Sequence, residues 1–225
     1  KKLQNLIKGA NKLEKVQTIQ RSGMEVWCGM ILGFDSDDAS IFDAHRAFIK
    51  EARIVNAMVG MLAAIPKTPL YTRLLKEGRL DPEDQQPFGT NVIPLNLSRE
   101  ALRDGYLAVM QDLHNPQAYF DRLDALYLDE RIEPEQTRLR HLRRHPLQFA
   151  KLNAEWMLEA VGIFLRLMRQ VPDKDLRRTY RRRIWAMLKR RRSPVVMQIY
   201  AIKCAMHYHA HTMIARMQTG PIVNS

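Results

Sequence analysis

Strand-like segments occur only in the first third of the sequence. Two apolar runs, residues 25–32 and 54–65, lack polar alternation and so predict parallel strands that are covered on both faces. Helix-start signals flank the first run, with Asn11 as a capping residue before it and Asp37 and Asp38 after it. Helix and strand therefore alternate, as in an α/β layer with right-handed crossovers.

The sequence changes character beyond this region. Residues 81–97 hold three prolines and little periodicity, which predicts an irregular connector. From residue 98 onward every segment opens with a helix signal and no strand-like run appears. We expect five helices there, and their starts are marked by Ser98, Asn115-Pro116, His145-Pro146, Pro172-Asp173 and Ser193-Pro194.

The net charge of +12 is concentrated in one predicted helix, residues 173–192. Nine Lys and Arg residues and no acid lie in its segment 176–192, whereas Leu176 and Tyr180 begin an apolar stripe with a four-residue spacing. Such a cationic face suits the phosphates of a nucleic acid or an anionic membrane surface. It also suits a solvated outer face, or one that pairs with the acids of a partner.

The last predicted helix carries a possible metal-binding set. Cys204, His207 and His211 share one helix face with Tyr200, at spacings that could supply metal ligands. The other interpretation is that they are partly buried polar groups. A separate face of this helix carries one continuous apolar stripe, formed by Val195, Ile199, Ile202, Met206, Ala210, Met213 and Met217.

Several common classes lack local support in the sequence. The two cysteines, Cys28 and Cys204, form neither a disulfide framework nor a local iron-sulfur motif, which favours a reducing cytoplasm. The sequence contains no phosphate loop, no nucleophile elbow and no His-Glu-x-x-His. It starts without Met and without an apolar signal segment, so we expect part of a longer cytoplasmic polypeptide.

Two glycines, Gly29 and Gly33, flank the end of the first predicted strand. In open α/β sheets and α/β barrels ligands bind beyond the carboxyl ends of strands, and glycine allows a flat group to approach the backbone. This predicts ligand contact, with the alternative that Gly33 only makes the turn into the next helix.

Residues 29–36 resemble the Gly-x-Ile-x-Gly-x-x-Glu strand motif of radical S-adenosylmethionine (SAM) proteins, with Ser36 in place of the Glu. Residues 66–71 resemble the family's Pro-Gly-Thr-Pro-Leu-Tyr, with Lys67 in place of the Gly. Three further blocks in order resemble the helical domain of cobalamin-binding radical SAM proteins: Gly89-Thr90-Asn91-Val92-Ile93-Pro94, then Ser98-Arg99-Glu100-x-Leu102-x-x-Gly105-Tyr106, then Asn115-Pro116-x-x-Tyr119-Phe120-x-Arg122.

The resemblance implies an α/β plus all-α fold. Residues 1–80 would form the last strand-helix units of a partial (β/α)6 radical SAM barrel, 81–97 a connector, and 98–225 a helical C-terminal domain. An upstream part of the same polypeptide would carry the iron-sulfur cluster ligands and a cobalamin-binding domain. The chain alone would be inactive.

The resemblance also implies cofactors and a reaction. Ile31 and Gly33 would lie against the adenine of SAM together with Gly29, and Ile65 and Pro66 would line the same pocket. Reductive cleavage of SAM would give a 5'-deoxyadenosyl radical, and methyl-cobalamin, where present, would deliver a methyl group. No catalytic residue and no metal ligand of this chain is implied.

The substrate implied by the resemblance is a small molecule or a lipid, since some relatives methylate hopanoid-type lipids. A peripheral membrane contact through Arg181, Arg182 and Arg183 would then give the basic helix a use. The alternative is a basic helical module that binds nucleic acid or an anionic membrane surface.

Overall fold

The computed structural model describes residues 11–81, 89–134 and 136–219, which form a two-stranded parallel sheet and mostly helices. In chain order the elements are α1 (Lys12–Arg21), β1 (Trp27–Leu32), α2 (Ser40–Glu51), β2 (Asn56–Met61), α3 (Pro69–Lys76), α4 (Arg99–Leu113), α5 (Pro116–Asp124), a π-helical turn (Ala125–Asp129), α6 (Gln136–Leu142), α7 (Pro146–Gln170), α8 (Lys174–Arg190) and α9 (Pro194–Thr219).

The chain divides into two compact units that are interleaved along the sequence. We call the first the helical unit; it comprises the described residues of 1–26, 51–55 and 116–210. The second is the sheet unit, with the described residues of 27–50, 56–115 and 211–225. An α/β region followed by helices was predicted, and the described elements confirm this order.

In the sheet unit β1 and β2 pair in parallel, from Trp27 opposite Asn56 to Leu32 opposite Met61. The prediction that the strands are covered on both faces is wrong for these strands. In β1 only Leu32 is buried, and alternate residues along the strand are exposed. The reason is that the side of the sheet with Leu32 and Val59 is packed, whereas Trp27, Ile31 and Met58 on the other side are largely exposed.

Both strands are also shorter than their apolar runs. Ile54 and Val55 are buried, and Val55 belongs to the core of the helical unit rather than to β2. Apolar character therefore marked neither the bounds of strand pairing nor burial along the whole run, since Met58 and Ile65 are exposed.

The five predicted helix starts are confirmed. The Ser98 hydroxyl accepts a hydrogen bond from the Ala101 N–H (3.0 Å), and the Asp173 carboxylate caps α8 through the Asp175 and Leu176 N–H groups (2.8 and 3.1 Å). The short helix α6 was not predicted. The sequence 89–97 is irregular apart from a bridge between Leu80 and Val92, and residues 82–88 of the predicted connector lie outside the described residues.

The core of the helical unit is rich in aromatic rings. Tyr119, Phe120, Tyr180 and Tyr200 are fully buried, and they pack with aliphatic residues of α5, α8 and α9. None of the helices described is both long and apolar enough to span a bilayer.

Candidate ligand-binding face and buried polar cluster

The uncovered side of the sheet is apolar and carries two glycines. The register places Trp27, Gly29 and Ile31 of β1 on the same side as Met58 and Gly60 of β2. Ile31 is 48% exposed, and a Cβ atom added at either glycine would have no atom within 4 Å. We call Trp27, Gly29, Ile31, Met58 and Gly60 the open face; Asn56, opposite Trp27 on the same side, is buried at its amino end. It is flat and apolar and has free space above both glycines, so a planar ring can approach the backbone there.

The carboxyl ends of both strands lie beside the open face. The Leu62 N–H donates to the Leu32 carbonyl oxygen (2.8 Å), so the two strand ends are adjacent. Ile65 and Pro66, predicted to line the cofactor pocket, are exposed in the loop that follows β2. The structure thus brings Gly29 and Ile31 together on one face and places Ile65 and Pro66 beyond its carboxyl end. Their contact with SAM stays a prediction.

Gly33 has a structural reason to be glycine. Its φ is +98°, and an added Cβ would lie 2.8 Å from a methyl group of Leu102. The Asp37 carboxylate accepts hydrogen bonds from the N–H groups of Gly33 and Phe34, both at 3.0 Å. This geometry supports the interpretation that Gly33 makes the turn, while its predicted contact with adenine is untested.

Thr90 and Asn91 hold the end of β2, a role that the sequence did not assign to them. The Thr90 hydroxyl donates to the Leu62 carbonyl oxygen (2.5 Å). The Asn91 side chain accepts from the Ala64 N–H (2.8 Å) and donates to the Ala64 carbonyl oxygen (2.9 Å). The motif Gly89–Pro94 was the available signal, because a side-chain amide can satisfy both backbone groups of one residue.

The loop after β1 is held by Asp35. Its carboxylate accepts hydrogen bonds from the guanidinium groups of Arg79 and Arg73, both at 2.7 Å, and these lower its pKa. Its carbonyl oxygen accepts from the side chain of Asn96 (2.9 Å). Charged and amide side chains therefore fix the loop at the carboxyl end of β1, beside the open face.

The second motif block, residues 98–106, supports the sheet unit from α4. A Cβ atom at Gly105 would lie 2.2 Å from the ring of Phe42, so only glycine allows α4 to approach that ring. Leu102, four residues after the cap Ser98, is the residue that contacts Gly33. The spacing of Leu102 and Gly105 in the motif therefore corresponds to two close contacts of α4, one with Gly33 and one with Phe42.

The third motif block contributes to a buried cluster in the helical unit. The rings of Tyr119 and Phe120 lie 4.9 and 5.4 Å from the ring of His207. The Tyr180 hydroxyl and His207 Nδ1 form a hydrogen bond of 2.8 Å. Burial raises the pKa of the Tyr180 hydroxyl and of the Cys204 thiol. Cys204 and His207 are both fully buried, so this face of α9 is a core face.

The predicted apolar stripe of α9 is packed in part. Val195, Ala210 and Met217 of that stripe are buried and Ile202 is exposed, and Tyr200 and Cys204 of the other face are buried as well. The helix carries apolar residues on both faces, and both faces contribute buried side chains. No group of three or more potential metal ligands occurs among the described residues, and His211 is only partly buried.

A buried ion pair accompanies this cluster. Lys203 Nζ pairs with the Glu25 carboxylate, and the Tyr127 hydroxyl donates to the same carboxylate (3.2 Å). The Lys203 side chain is 4% exposed, and burial lowers its pKa although Glu25 opposes that effect. A single lysine in a histidine-rich helix gave no signal of burial in the sequence.

Four of the nine cations in residues 176–192, namely Arg178, Arg183, Arg190 and Arg191, pair with acids among the described residues. Arg183 is buried and pairs with Asp124 (2.6 Å) and Asp121 (2.9 Å). Two further pairs are Arg190–Asp129 at 2.5 Å and Arg191–Glu133 at 2.7 Å. The predicted contact of Arg183 with a membrane needs correction, because its guanidinium is enclosed by these carboxylates. Arg181 and Arg182 are exposed.

The cysteines of this chain do not fit an iron-sulfur cluster. Cys28 is half-buried in the sheet unit, whereas Cys204 lies within the core of the helical unit, and burial raises the pKa of both thiols. A cluster needs several thiolates at one place. No step through a cluster is derived from these residues.

The chain is similar to two curated methyltransferases. It is 33% identical to the hopanoid C-2 methylase of Rhodopseudomonas palustris over 112 residues, which are 50% of this chain and 21% of that protein. It is 27% identical to a protein of Synechocystis named an uncharacterized methyltransferase, over 92% of this chain and 37% of that protein. The chain thus matches well under half the length of either relative.

No solved structure matches the chain at a significant level. A family model does match, over residues 68–221, and its description is domain of unknown function DUF4070. That range contains the three ordered motif blocks that predicted a relation to cobalamin-binding radical SAM proteins. The chain belongs to the DUF4070 family, which is found in cobalamin-binding radical SAM proteins, and the predicted relation is confirmed.

Proposed function

We propose that this chain is part of a radical SAM methyltransferase that modifies a lipid-like substrate at an unactivated carbon. Two relatives support methyl transfer, since one is named a hopanoid C-2 methylase and the other a methyltransferase. The structural observation that carries the proposal is the open face, with its two glycines and free space beside the carboxyl ends of parallel strands.

In this proposal β1 and β2 are the last strands of a partial (β/α)6 barrel. Their parallel pairing with α2 between them is the β-α-β unit from which such barrels are built. The open face would be the interior of the barrel. Residues 1–80 would belong to the barrel and 98–225 to the helical domain, with 81–97 as the connector.

The open face would hold the adenine of SAM. Gly29 and Gly60 leave space for a flat ring, and Ile31 and Met58 supply apolar contact on either side. SAM, bound beside a cluster held elsewhere in the polypeptide, supplies a 5'-deoxyadenosyl radical for hydrogen abstraction. The role of this chain is to orient the adenine, and Asn91 fixes the strand end that borders the site. The described residues offer no observation that assigns a group to cobalamin.

The open face can be tested by filling its space. In the intact polypeptide we expect Gly29→Val and Gly60→Val to keep the melting temperature, because no atom lies within 4 Å of the added Cβ. Each should weaken SAM binding in equilibrium dialysis by about tenfold or more, since a branched side chain occupies the place of the ring. Transfer of a labelled methyl group from SAM to a hopanoid should fall in parallel.

The matched control is Met30→Val, on the opposite side of the same strand. It should leave SAM binding within about twofold of the native protein, because its side chain points away from the open face. If both glycine variants bind SAM and transfer the methyl group as well as the native protein, the open face is not the cofactor site. If the native protein transfers no methyl group from SAM to a hopanoid, the proposed reaction is wrong.

A further inference from the structure

An exposed apolar line runs along α7 in the helical unit. Leu147, Leu158 and Leu165 are separated by eleven and seven residues, spacings that return to the same face of a helix. Leu158 is 72% exposed and Leu165 62%. Large aliphatic side chains in a line of this kind are unusual on a solvated helix and indicate an interaction surface.

A groove between α7 and α8 continues this line. Its volume is about 390 Å³, and Met157, Trp185 and Leu188 contribute its apolar lining. Trp185 is 63% exposed. Lys189 and Arg192 line the same groove, so an exposed indole lies among cations and next to aliphatic side chains.

The charge around the groove is positive. Arg181 lies one helical turn before Trp185 on α8, and like Lys189 and Arg192 it has no acid within ion-pair distance among the described residues. Of the exposed acids of α7, Glu155 pairs with Lys151 (3.9 Å) and Glu159 with Gln198. Exposed cations without an acid partner among the described residues thus lie beside the apolar groove, whereas Arg183 is neutralised within the core.

We infer that this surface, comprising the exposed line of α7, the groove at Trp185 and the cations Arg181, Lys189 and Arg192, docks on a lipid bilayer with anionic headgroups. Leucine and methionine side chains enter the acyl boundary, the indole lies at the headgroup level, and Lys and Arg extend to the lipid phosphates. A nucleic acid would use the cations but leaves the leucine line without a partner. The inference extends the proposed function, because a lipid-like substrate is met at a membrane, but docking does not depend on the chemistry.

Vesicle co-sedimentation of the intact polypeptide tests the docking. We expect binding to vesicles of phosphatidylcholine and phosphatidylglycerol at 3:1, and weaker binding to phosphatidylcholine alone. The variant Leu158→Ser with Leu165→Ser should reduce the partition coefficient by about tenfold or more, since it removes apolar contact. The variant Lys189→Gln with Arg192→Gln should reduce it by about fivefold for each charge, on anionic vesicles only.

Matched controls lie in the sheet unit. Leu75→Ser replaces another exposed leucine, and Lys76→Gln with Arg103→Gln removes two exposed cations. These controls should bind as the native protein does. Equal losses in the control and test variants would overturn the inference, as would the absence of binding to anionic vesicles.

Other occupants of the surface give different results. If a second copy covers it, the Leu158→Ser and Leu165→Ser variant changes the oligomeric state in size-exclusion chromatography and vesicles do not bind. If RNA is the partner, an RNA duplex binds, the leucine variant is neutral and vesicles do not bind. Either result overturns the inference. Failure of methyl transfer with intact vesicle binding would contradict the proposed function alone.

Discussion

The two units use polar side chains in opposite ways. In the sheet unit, Asp37, Thr90 and Asn91 bind backbone groups at the strand ends, and the sheet keeps an open apolar face. In the helical unit, Lys203 and His207 are inside the core, while leucines of α7 remain on the surface. The comparison shows that exposed apolar residues occur where polar groups already fix the surrounding backbone or core.

This difference has a physical reason. Unsatisfied buried polar groups are costly, so each buried donor or acceptor restricts the packing of its neighbours to one arrangement. Where buried polar groups fix the backbone in this way, the surface beside them can expose apolar side chains to a ligand without rearranging to bury them.

The largest expected effect is on the buried ion pair of the helical unit. Lys203→Met leaves the Glu25 carboxylate without its cation, and the loss of one partner from a buried pair costs about 3–5 kcal/mol of the free energy of unfolding. Urea denaturation measures this loss. The exposed Lys151→Met is the control and should change stability by less than about 0.5 kcal/mol.

A double variant distinguishes charge from packing at this pair. Glu25→Gln added to Lys203→Met removes the buried negative charge and should recover part of the lost stability. If the double variant is as unstable as the two single losses combined, Lys203 contributes by packing and the pair is not coupled.

The next effect concerns the packing of α4 in the sheet unit. Gly105→Ala places a methyl group within 2.2 Å of the Phe42 ring, which we expect to cost about 2–3 kcal/mol. Gly162→Ala in α7 is a matched change in the helical unit, where the added Cβ meets no atom within 4 Å. It should stabilise by about 0.5–1 kcal/mol, because alanine favours the helix. Thermal unfolding of both variants measures the contrast, and equal shifts would refute it.

Part of this organisation could be predicted from the sequence. The helix starts at Ser98 and Asp173 were predictable because capping is local chemistry between neighbouring residues. The burial of the polar face of α9 was not, since both faces carry apolar residues and both contribute buried side chains. The buried state of Lys203 depends on Glu25, which is distant in sequence and gives no periodic signal.

The candidate site, too, was predictable from the sequence only in part. The motif that contains Gly29 and Ile31 lies on β1, and the period-2 alternation of that strand puts both residues on one side. The exposure of that side was not predictable, because an apolar run looks the same whether a second layer covers it or not. The hydrogen bonds of Asn91 to Ala64 join residues of the connector and the strand end, and tertiary structure alone brings them together.

A smaller effect is expected at this connector. Asn91→Ala leaves the N–H and carbonyl groups of Ala64 without their side-chain partner, which should cost about 1–2 kcal/mol. Asn96→Ala is the control, since it removes one exposed hydrogen bond to the Asp35 carbonyl oxygen, and should cost less than about 1 kcal/mol. Chemical denaturation gives both values. A larger loss for Asn96→Ala would show that the loop after β1, rather than the end of β2, depends on the connector.

The smallest effect appears only in alkaline solution and compares the two cysteines. Burial raises the pKa of the Cys204 thiol above its ordinary value of about 8.5, so above that pH the unfolded chain releases a proton that the folded chain retains. The free energy of unfolding of the native protein should then fall relative to Cys204→Ala, by up to about 1.4 kcal/mol per pH unit, and should show no such change below pH ~8. Cys28→Ala removes the half-buried thiol of the sheet unit, which water solvates in part. The difference in free energy of unfolding between the native protein and Cys28→Ala should therefore change less steeply with pH. If the free energy of unfolding depends on pH equally in the two comparisons, Cys204 reaches solvent in the folded state. The core of the helical unit would then exclude water no better than the strand that carries Cys28.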